Sequence, residues 1–330
     1  MAPARTRHST GVIGGASAVA AGLVADRVFG EPPPAVHPVA GFGQGMARVE
    51  RALYRDSRVA GMTHWAIGVG GAVVAGRALD RMLGRRWALL VSTYLAVAGR
   101  MLGREATAIG DLLVAGNLEA ARARLPALVG RSPTDLSESE ITRAVVESVA
   151  ENSVDAVVAP VLWALVAGAP GVCAYRAINT LDAMVGHRSP RYEQFGWASA
   201  RLDDLANWIP ARVGAVGVAA VRPGRARAVV CIVRRDAAQH PSPNGGVIES
   251  AFAASLGIRL GGSNRYGDVV EHRGVLGDGR EAAGADIGRA VRLLDQVTVA
   301  VGVAGLLAAS ATTLTRRLWR GRSRGRTDRA

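Results

Sequence analysis

The sequence predicts an all-α protein, a polytopic integral membrane helical bundle with polar helical segments between its spans. Three observations predict it. Mean hydropathy is +0.17, with 49% of residues apolar. The apolar residues gather in blocks at positions 11–25, 65–75, 87–98, 156–171, 208–221 and 297–314. The basic residues gather at block edges, as in Arg77, Arg81, Arg85 and Arg86 and across residues 316–326, where arginine anchors at lipid headgroups. A spanning helix needs about 20 mostly apolar residues, with a range of about 17–25. Only the first and last blocks approach that length; the others are short, Gly-rich or interrupted, so they suit tilted, re-entrant or bundle-packed segments. Residues 1–315 are expected to form a single membrane-embedded domain. Residues 316–330 read as a disordered, Arg-rich tail on the cytoplasmic side. A soluble all-α protein with buried helices is the alternative.

Composition also excludes chemistry. The net charge is +13, and all 40 Lys-plus-Arg positions are arginine. Without lysine there is no G-x-x-x-x-G-K-[ST] phosphate loop and no lysine Schiff base. Aromatics make up 5% of the chain and do not interleave with arginine, which argues against nucleic-acid binding. Cys173 and Cys231 have no metal-ligand spacing, and each is expected to be a buried free thiol.

The first block follows Arg5, Arg7 and His8. Cleavage at Ala18-Val19-Ala20 would leave an apolar core of only about ten residues, so an uncleaved span is expected. Asp26 and Arg27 lead to Gly30-Glu31-Pro32-Pro33-Pro34-Ala35-Val36-His37-Pro38, whose prolines favour extended chain. His37 is a candidate to orient substrate, although a lone histidine is as often structural. Residues 46–58 read as a polar amphipathic helix. Residues 104–141 read as mostly helical, with Leu112, Leu113, Leu118, Leu125 and Leu128 on the apolar face. Pro126 and Ser132-Pro133 punctuate that stretch. Ser137 with Glu140 then fits a capping box.

Glu147, Glu151 and Asp155 recur every fourth residue, which stacks three carboxylates on one helical face with Arg143 a turn earlier. The stripe runs directly into an apolar block, and acids at such a boundary are functional candidates. A solvated face with Arg143 paired to Glu147 is the plainer reading. Pro160 and Pro170 suggest that the 156–171 block is broken or re-entrant, as tolerated where backbone lines a cavity. The acidic motifs on its two sides are expected to meet. Beyond it, Asn179 and Asp182 share a helical face. Arg201, Asp203, Asp204, Asn207 and Arg212 then cluster around a helix that Pro210 interrupts. One or two carboxylates there suit Mg²⁺, against the alternative of acids capping an interfacial helix. In His240-Pro241-Ser242-Pro243-Asn244-Gly245-Gly246, Ser242 and Asn244 could present backbone N–H groups to a phosphate; a simple tight turn is as good a reading. A helix bearing Glu249 follows.

Taken in order, these motifs resemble the CobD/CbiB family, the adenosylcobinamide-phosphate synthases of cobalamin biosynthesis. The matching elements are Asp26 with Gly30-Glu31-Pro32 and His37-Pro38-Val39, Glu147-Ser148-Val149-Ala150-Glu151-Asn152, and Asn179-Thr180-Leu181-Asp182. Further matches are Gly196-Trp197 through Arg212, His240 through Gly246, and Gly261-Gly262 with Asn264 and Tyr266. Ala183 departs from the pattern, standing where a serine is expected.

The resemblance implies a multi-pass cell-membrane enzyme that forms an amide at the expense of ATP, with Mg²⁺. Its substrates would be adenosylcobyric acid and (R)-1-amino-2-propanol phosphate, and its product adenosylcobinamide phosphate. The implied partners are these small molecules and the lipid bilayer, with other corrinoid-pathway membrane enzymes as candidates and no nucleic acid. Arg176, Arg201 and Arg212 would clamp phosphates, since bidentate guanidinium suits them. Glu147, Glu151, Asp203 and Asp204 are candidates for metal binding or proton transfer, with the metal assigned to the two aspartates. Asn152, Asn179, Asn207 and Asn244 would orient the corrinoid, with Asp182 and Ser242 also at the substrate. His37 and His240 are the candidate bases. The competing functions are a non-catalytic membrane signalling protein on the same scaffold and a transporter. Intact acidic and Asn motifs argue against the first, and the lack of a visible inverted repeat against the second.

Overall fold

The computed structural model describes residues 9–33, 35–129, 136–187, 189–266 and 269–327. Arg5, Arg7, His8, Pro34, Ser132-Pro133 and Gly267 lie outside the described residues. The helices are α1 (Ser9–Phe29), α2 (Pro38–Leu53), α3 (Arg58–Leu83), α4 (Arg85–Ala96), α5 (Gly99–Val114), α6 (Leu118–Arg124) and α7 (Glu138–Ser153). They continue as α8 (Ala159–Leu181), α9 (Trp197–Val221), α10 (Ala226–Asp236), α11 (Gly245–Leu256) and α12 (Ala285–Thr327). The protein is an all-α membrane bundle, with, among the described residues, one small hairpin of β1 (Leu260–Tyr266) and β2 (Val269–Leu276) between α11 and α12.

Among the described residues, three stretches are long and apolar enough to cross a membrane: Arg58–Leu83, Glu138–Gly186 and Ala285–Ala311. The second apolar block therefore belongs to a much longer helix than its own length suggests. Block 87–98 instead sits in the 12-residue α4, too short to span at 1.5 Å per residue. Helix α12 runs on to Thr327 and takes in most of the arginine-rich tail.

Helix α2 begins on Pro38, whose missing N–H would be unsatisfied at that position anyway. His37 caps it, with Nδ1 accepting from Val39 N at 3.2 Å. At the start of α7 the capping box forms: Ser137 Oγ accepts from Glu140 N at 3.3 Å, and Glu140 Oε2 accepts from Ser137 N at 2.8 Å. The leucine face of α5 and α6 packs into the main core, where Ile109, Val145, Val149, Val157, Phe252, Ile287 and Leu293 are buried together. A second apolar cluster joins Met46, Val69, Ala177 and Leu181 between α2, α3 and α8.

The feature that builds the site lies in α8. A π-helical turn, Val154–Val158, joins α7 to α8, and a second, Asp182–Gly186, follows it. Inside α8, Gly168 has φ 68° and ψ −159°, a region essentially reserved for glycine. Pro170 follows and cannot donate to a helix crossing that point. A continuous helix would hold Asp155 and Tyr175 about 30 Å apart, yet Tyr175 Oη lies 3.3 Å from Asp155 Oδ1. The chain doubles back at Gly168, and the acidic motifs flanking the block meet.

The expectation of two buried thiols is corrected. Cys173 is half-buried and Cys231 is exposed, because Cys231 falls on the outer face of the amphipathic α10. Residues 260–276 pair as an antiparallel hairpin, with Leu260 opposite Leu276 and Asn264 opposite Glu271, an element the sequence reading did not include.

Candidate functional site

One polar site runs between α7, the returning half of α8, α9 and the start of α11. Its first group centres on His240. This side chain is 3% exposed; its Nε2 lies 3.3 Å from Glu249 Oε1 and 3.9 Å from Glu151 Oε1. One ligating atom from each of the three residues lies within 4.8 Å of the others. The Nδ1 atom sits 3.0 Å from Ser242 N and 3.3 Å from Ser242 O, so the loop supports the ring proton on either nitrogen. Burial holds the imidazole below its ordinary pKa, opposed by the Glu151 charge. Gly245 lets α11 start against this group: a Cβ there would stand 2.7 Å from Glu151 Oε1 and 2.8 Å from His240 Cε1. Arg273 Nη1 lies 3.5 Å from His240 Nε2. The Arg273 charge adds to burial in lowering the imidazole pKa.

The second group is rich in oxygen. Tyr175 donates to Asn207 Oδ1 at 2.9 Å and faces Asp155, while Asn207 Nδ2 donates to Asp203 Oδ2 at 3.0 Å. The other Asp203 oxygen, Oδ1, is buried with no hydrogen-bond partner among the described residues. Burial, and then the charges of Asp155 and Asp182, push the Asp203 carboxyl up to about 8, against the Asn207 hydrogen bond. Asp155 also interacts with Glu151, which links the two groups.

A third group closes the far end. Arg176 donates to Asn179 Oδ1 at 3.3 Å, and its Nε is buried without a partner among the described residues. Its charge acts on Glu31 and His37. Burial raises the Glu31 pKa, with Arg176 opposing. Burial and then Arg176 lower that of His37, which keeps the ring neutral. Its Nε2 is buried and unbonded among the described residues.

The structure thus brings together Glu151, His240, Asn179, Asn207, Asp203, Asp182, Arg176 and His37. Other expected residues have local duties. Glu147 is buried and accepts from Gly261 N at 2.8 Å, with Arg143 at 3.9 Å; it ties the hairpin to α7. Asn152 donates to Ser148 O and Oγ on its own helix. Arg212 donates to Asn244 Oδ1, Pro243 O and Trp208 O and lies 4.3 Å from the Trp208 ring centroid. It holds the 243–244 turn against α9. Arg201 is exposed and its charge acts on Asp204. Burial raises the Asp204 pKa against that charge.

The phosphate-cradle reading of Ser242 and Asn244 does not fit. Ser242 Oγ accepts from Asn244 N and Gly245 N at 3.3 and 3.1 Å. The next N–H groups, of Gly246, Val247 and Ile248, go to carbonyls of the same turn. The turn satisfies its own donors, and Asn244 Nδ2 donates to Asp204 O at 2.8 Å.

Sequence reasoning assigned no role to Glu249, Tyr175 or Glu31, and named Asp155 only as part of the carboxylate stripe. A lone glutamate inside the wholly buried α11 was a usable signal, because glutamate is almost never fully buried without a partner.

The family model described as CobD/Cbib protein matches residues 19–294. The chain is 49% identical over 292 residues to the cobalamin biosynthesis protein CobD of Mycobacterium tuberculosis strain H37Rv, covering 87% of this chain and 93% of that one. It is 40% identical over 283 residues to the protein of that name from Rhodobacter capsulatus, covering 82% and 90%. For the Pelobacter propionicus protein of that name, identity is 39% over 306 residues, covering 88% and 94%. No solved structure matches the chain.

Proposed function

From the premise that this chain belongs to the CobD/CbiB family and serves cobalamin biosynthesis, we propose that it is the adenosylcobinamide-phosphate synthase. The reaction is ATP-dependent joining of adenosylcobyric acid to (R)-1-amino-2-propanol phosphate. A side-chain carboxylate of the corrinoid attacks the γ-phosphorus of ATP, giving an acyl phosphate and ADP. The amine then attacks the acyl carbon, inorganic phosphate leaves with one former carboxylate oxygen, and the amine loses a proton.

The observation that carries this reading is the junction of two chemically distinct groups across the α8 reversal. Phosphoryl transfer needs cation and hydrogen-bond stabilisation of spreading negative charge. Asp155, Asp182 and Asp203 supply hard oxygen ligands, and the buried, unbonded Asp203 Oδ1 fits a divalent cation; Mg²⁺ takes few carboxylates and keeps water and phosphate oxygens. When bound there, Mg²⁺ would neutralise phosphate charge. Arg176 sits beside this group, a guanidinium with an unused donor for a phosphate oxygen. Amide formation needs a base. His240 is held neutral beside Glu151 and Glu249 and takes the amine proton at Nε2 when its Nδ1–H faces Ser242 O. His37 and Asn179 would orient polar groups of the corrinoid. Helices long and apolar enough to cross a membrane support the bilayer placement.

Oxygen-isotope transfer tests the route. Adenosylcobyric acid carrying heavy oxygen in its free carboxylate should pass one labelled oxygen to inorganic phosphate for each amide formed. Label retained entirely in the corrinoid, or found in AMP, would refute the acyl phosphate.

A further inference from the structure

A polar cavity lies away from this site, and it does not depend on the functional reading above. Its volume is about 530 Å³, and it is lined by Arg222, Arg225, Ser255, Leu256, Arg289 and Arg292. The lining holds four guanidiniums and no carboxylate. Arg289 is engaged by Asp286 Oδ1 at 2.6 Å and Leu256 O at 2.7 Å, so one arginine is accounted for as a cap on the C-terminal end of α11. The side chains of Arg222, Arg225 and Arg292 have no hydrogen-bond or ion-pair partner among the described residues.

Like charges gathered around one cavity repel, and nothing in the described lining compensates three of them. A second observation points the same way. Ser255 is only 6% exposed, and its hydroxyl is buried without a hydrogen-bond partner among the described residues. A buried unsatisfied hydroxyl is costly, and an oxyanion would satisfy it. The chain also leaves room for one of the arginines: a Cβ on Gly257 would lie 2.5 Å from Arg225 Nη2.

We propose that this cavity is a phosphate-binding site. Guanidinium forks pair with phosphate oxygens bidentately, and a serine hydroxyl completes such a set. The site's place in the fold admits two sources of the phosphate. Arg289 and Arg292 lie in the first turns of the apolar stretch Ala285–Ala311, and Arg222 ends the apolar run of α9. That is the level at which anionic headgroups meet basic pockets between helices. A free phosphate or phosphate monoester presents the same oxygens.

The test uses the full-length protein, delipidated in non-ionic detergent. In one arm, inorganic phosphate is titrated and binding read by calorimetry, with chloride as control. In the other, the protein is placed in phosphatidylcholine nanodiscs with or without phosphatidylglycerol, and retained lipid and thermal midpoint are measured. Saturable phosphate binding, or selective retention of phosphatidylglycerol with a raised midpoint, supports the site and identifies the source. The double variant Arg222→Gln/Arg292→Gln should weaken that binding about tenfold or more. Ser255→Ala, a smaller change that keeps the fold, should weaken it in the same direction. Neither phosphate nor phosphatidylglycerol binding, or equal binding by wild type and both variants, overturns the proposal.

Discussion

Replacing Gly168 by alanine probes the reversal on which the site depends. A Cβ at this position has room, since the nearest neighbour is Pro170 Cδ at 3.8 Å, so the penalty is conformational. With φ 68° and ψ −159°, an L-residue pays roughly 1–3 kcal/mol. Gly70 is the control. It is exposed on α3, and a Cβ there meets nothing within 4 Å, so alanine should stabilise the helix by roughly 0.5–1 kcal/mol. The two Gly→Ala changes therefore have opposite signs. Thermal unfolding in detergent should show a lowered midpoint for Gly168→Ala and an unchanged or raised one for Gly70→Ala. Amide formation should fall with Gly168→Ala, because relaxing the reversal moves Asp155 away from Tyr175 and Asn207. A Gly168→Ala protein with wild-type midpoint and activity would refute this account of how the site is assembled.

The other predictions concern charge. The Asp203 carboxyl, raised to about 8, binds its proton more tightly folded than unfolded. Stability should thus fall as pH rises from about 4 to about 8, a slope that Asp203→Asn removes and that denaturant titration at several pH values would detect. Mg²⁺ requires the ionised form, so its affinity should increase with pH over that window, as calorimetry can show. His240 is depressed below its ordinary pKa by burial, so the stability it contributes is complete above about 6.5 and lost as pH falls through the folded pKa. His240→Gln should abolish that acid-side loss and cut turnover about 10²–10⁴-fold, both readable from pH–stability and pH–rate profiles. Glu147→Gln can still accept from Gly261 N and should keep substantial activity. Glu147→Ala should cost about 1–3 kcal/mol by leaving that donor unpaired, as unfolding measurements would reveal.

Much of the fold was legible because it is local. Ser137 and Glu140 sit at capping-box spacing and cap. Glu147, Glu151 and Asp155 sit at helical spacing and share a face, and Pro160 and Pro170 announced the broken block. Long-range pairing was not legible in this way. Glu147 and Glu151 look equivalent in sequence, yet one is taken by a backbone N–H more than a hundred residues away and the other faces His240. Nothing in the residues around Tyr175 shows that Gly168 turns it back onto Asp155. Arg212 and Asn244 looked like substrate ligands but hold each other, because the Ser242 turn needs an anchor on α9. Gly267-Asp268 between two Val- and Tyr-containing runs is a hairpin signal that the sequence reading did not use.

The most direct measurement is product formation by the purified protein in detergent, supplied with adenosylcobyric acid, aminopropanol phosphate and Mg·ATP, with the corrinoid followed by mass. The account predicts a new amide and ADP from wild type, and loss of both in Glu151→Gln and Asp203→Asn with corrinoid binding retained. An amide formed at the wild-type rate by either variant, or none formed by wild type that binds all three substrates, would contradict it.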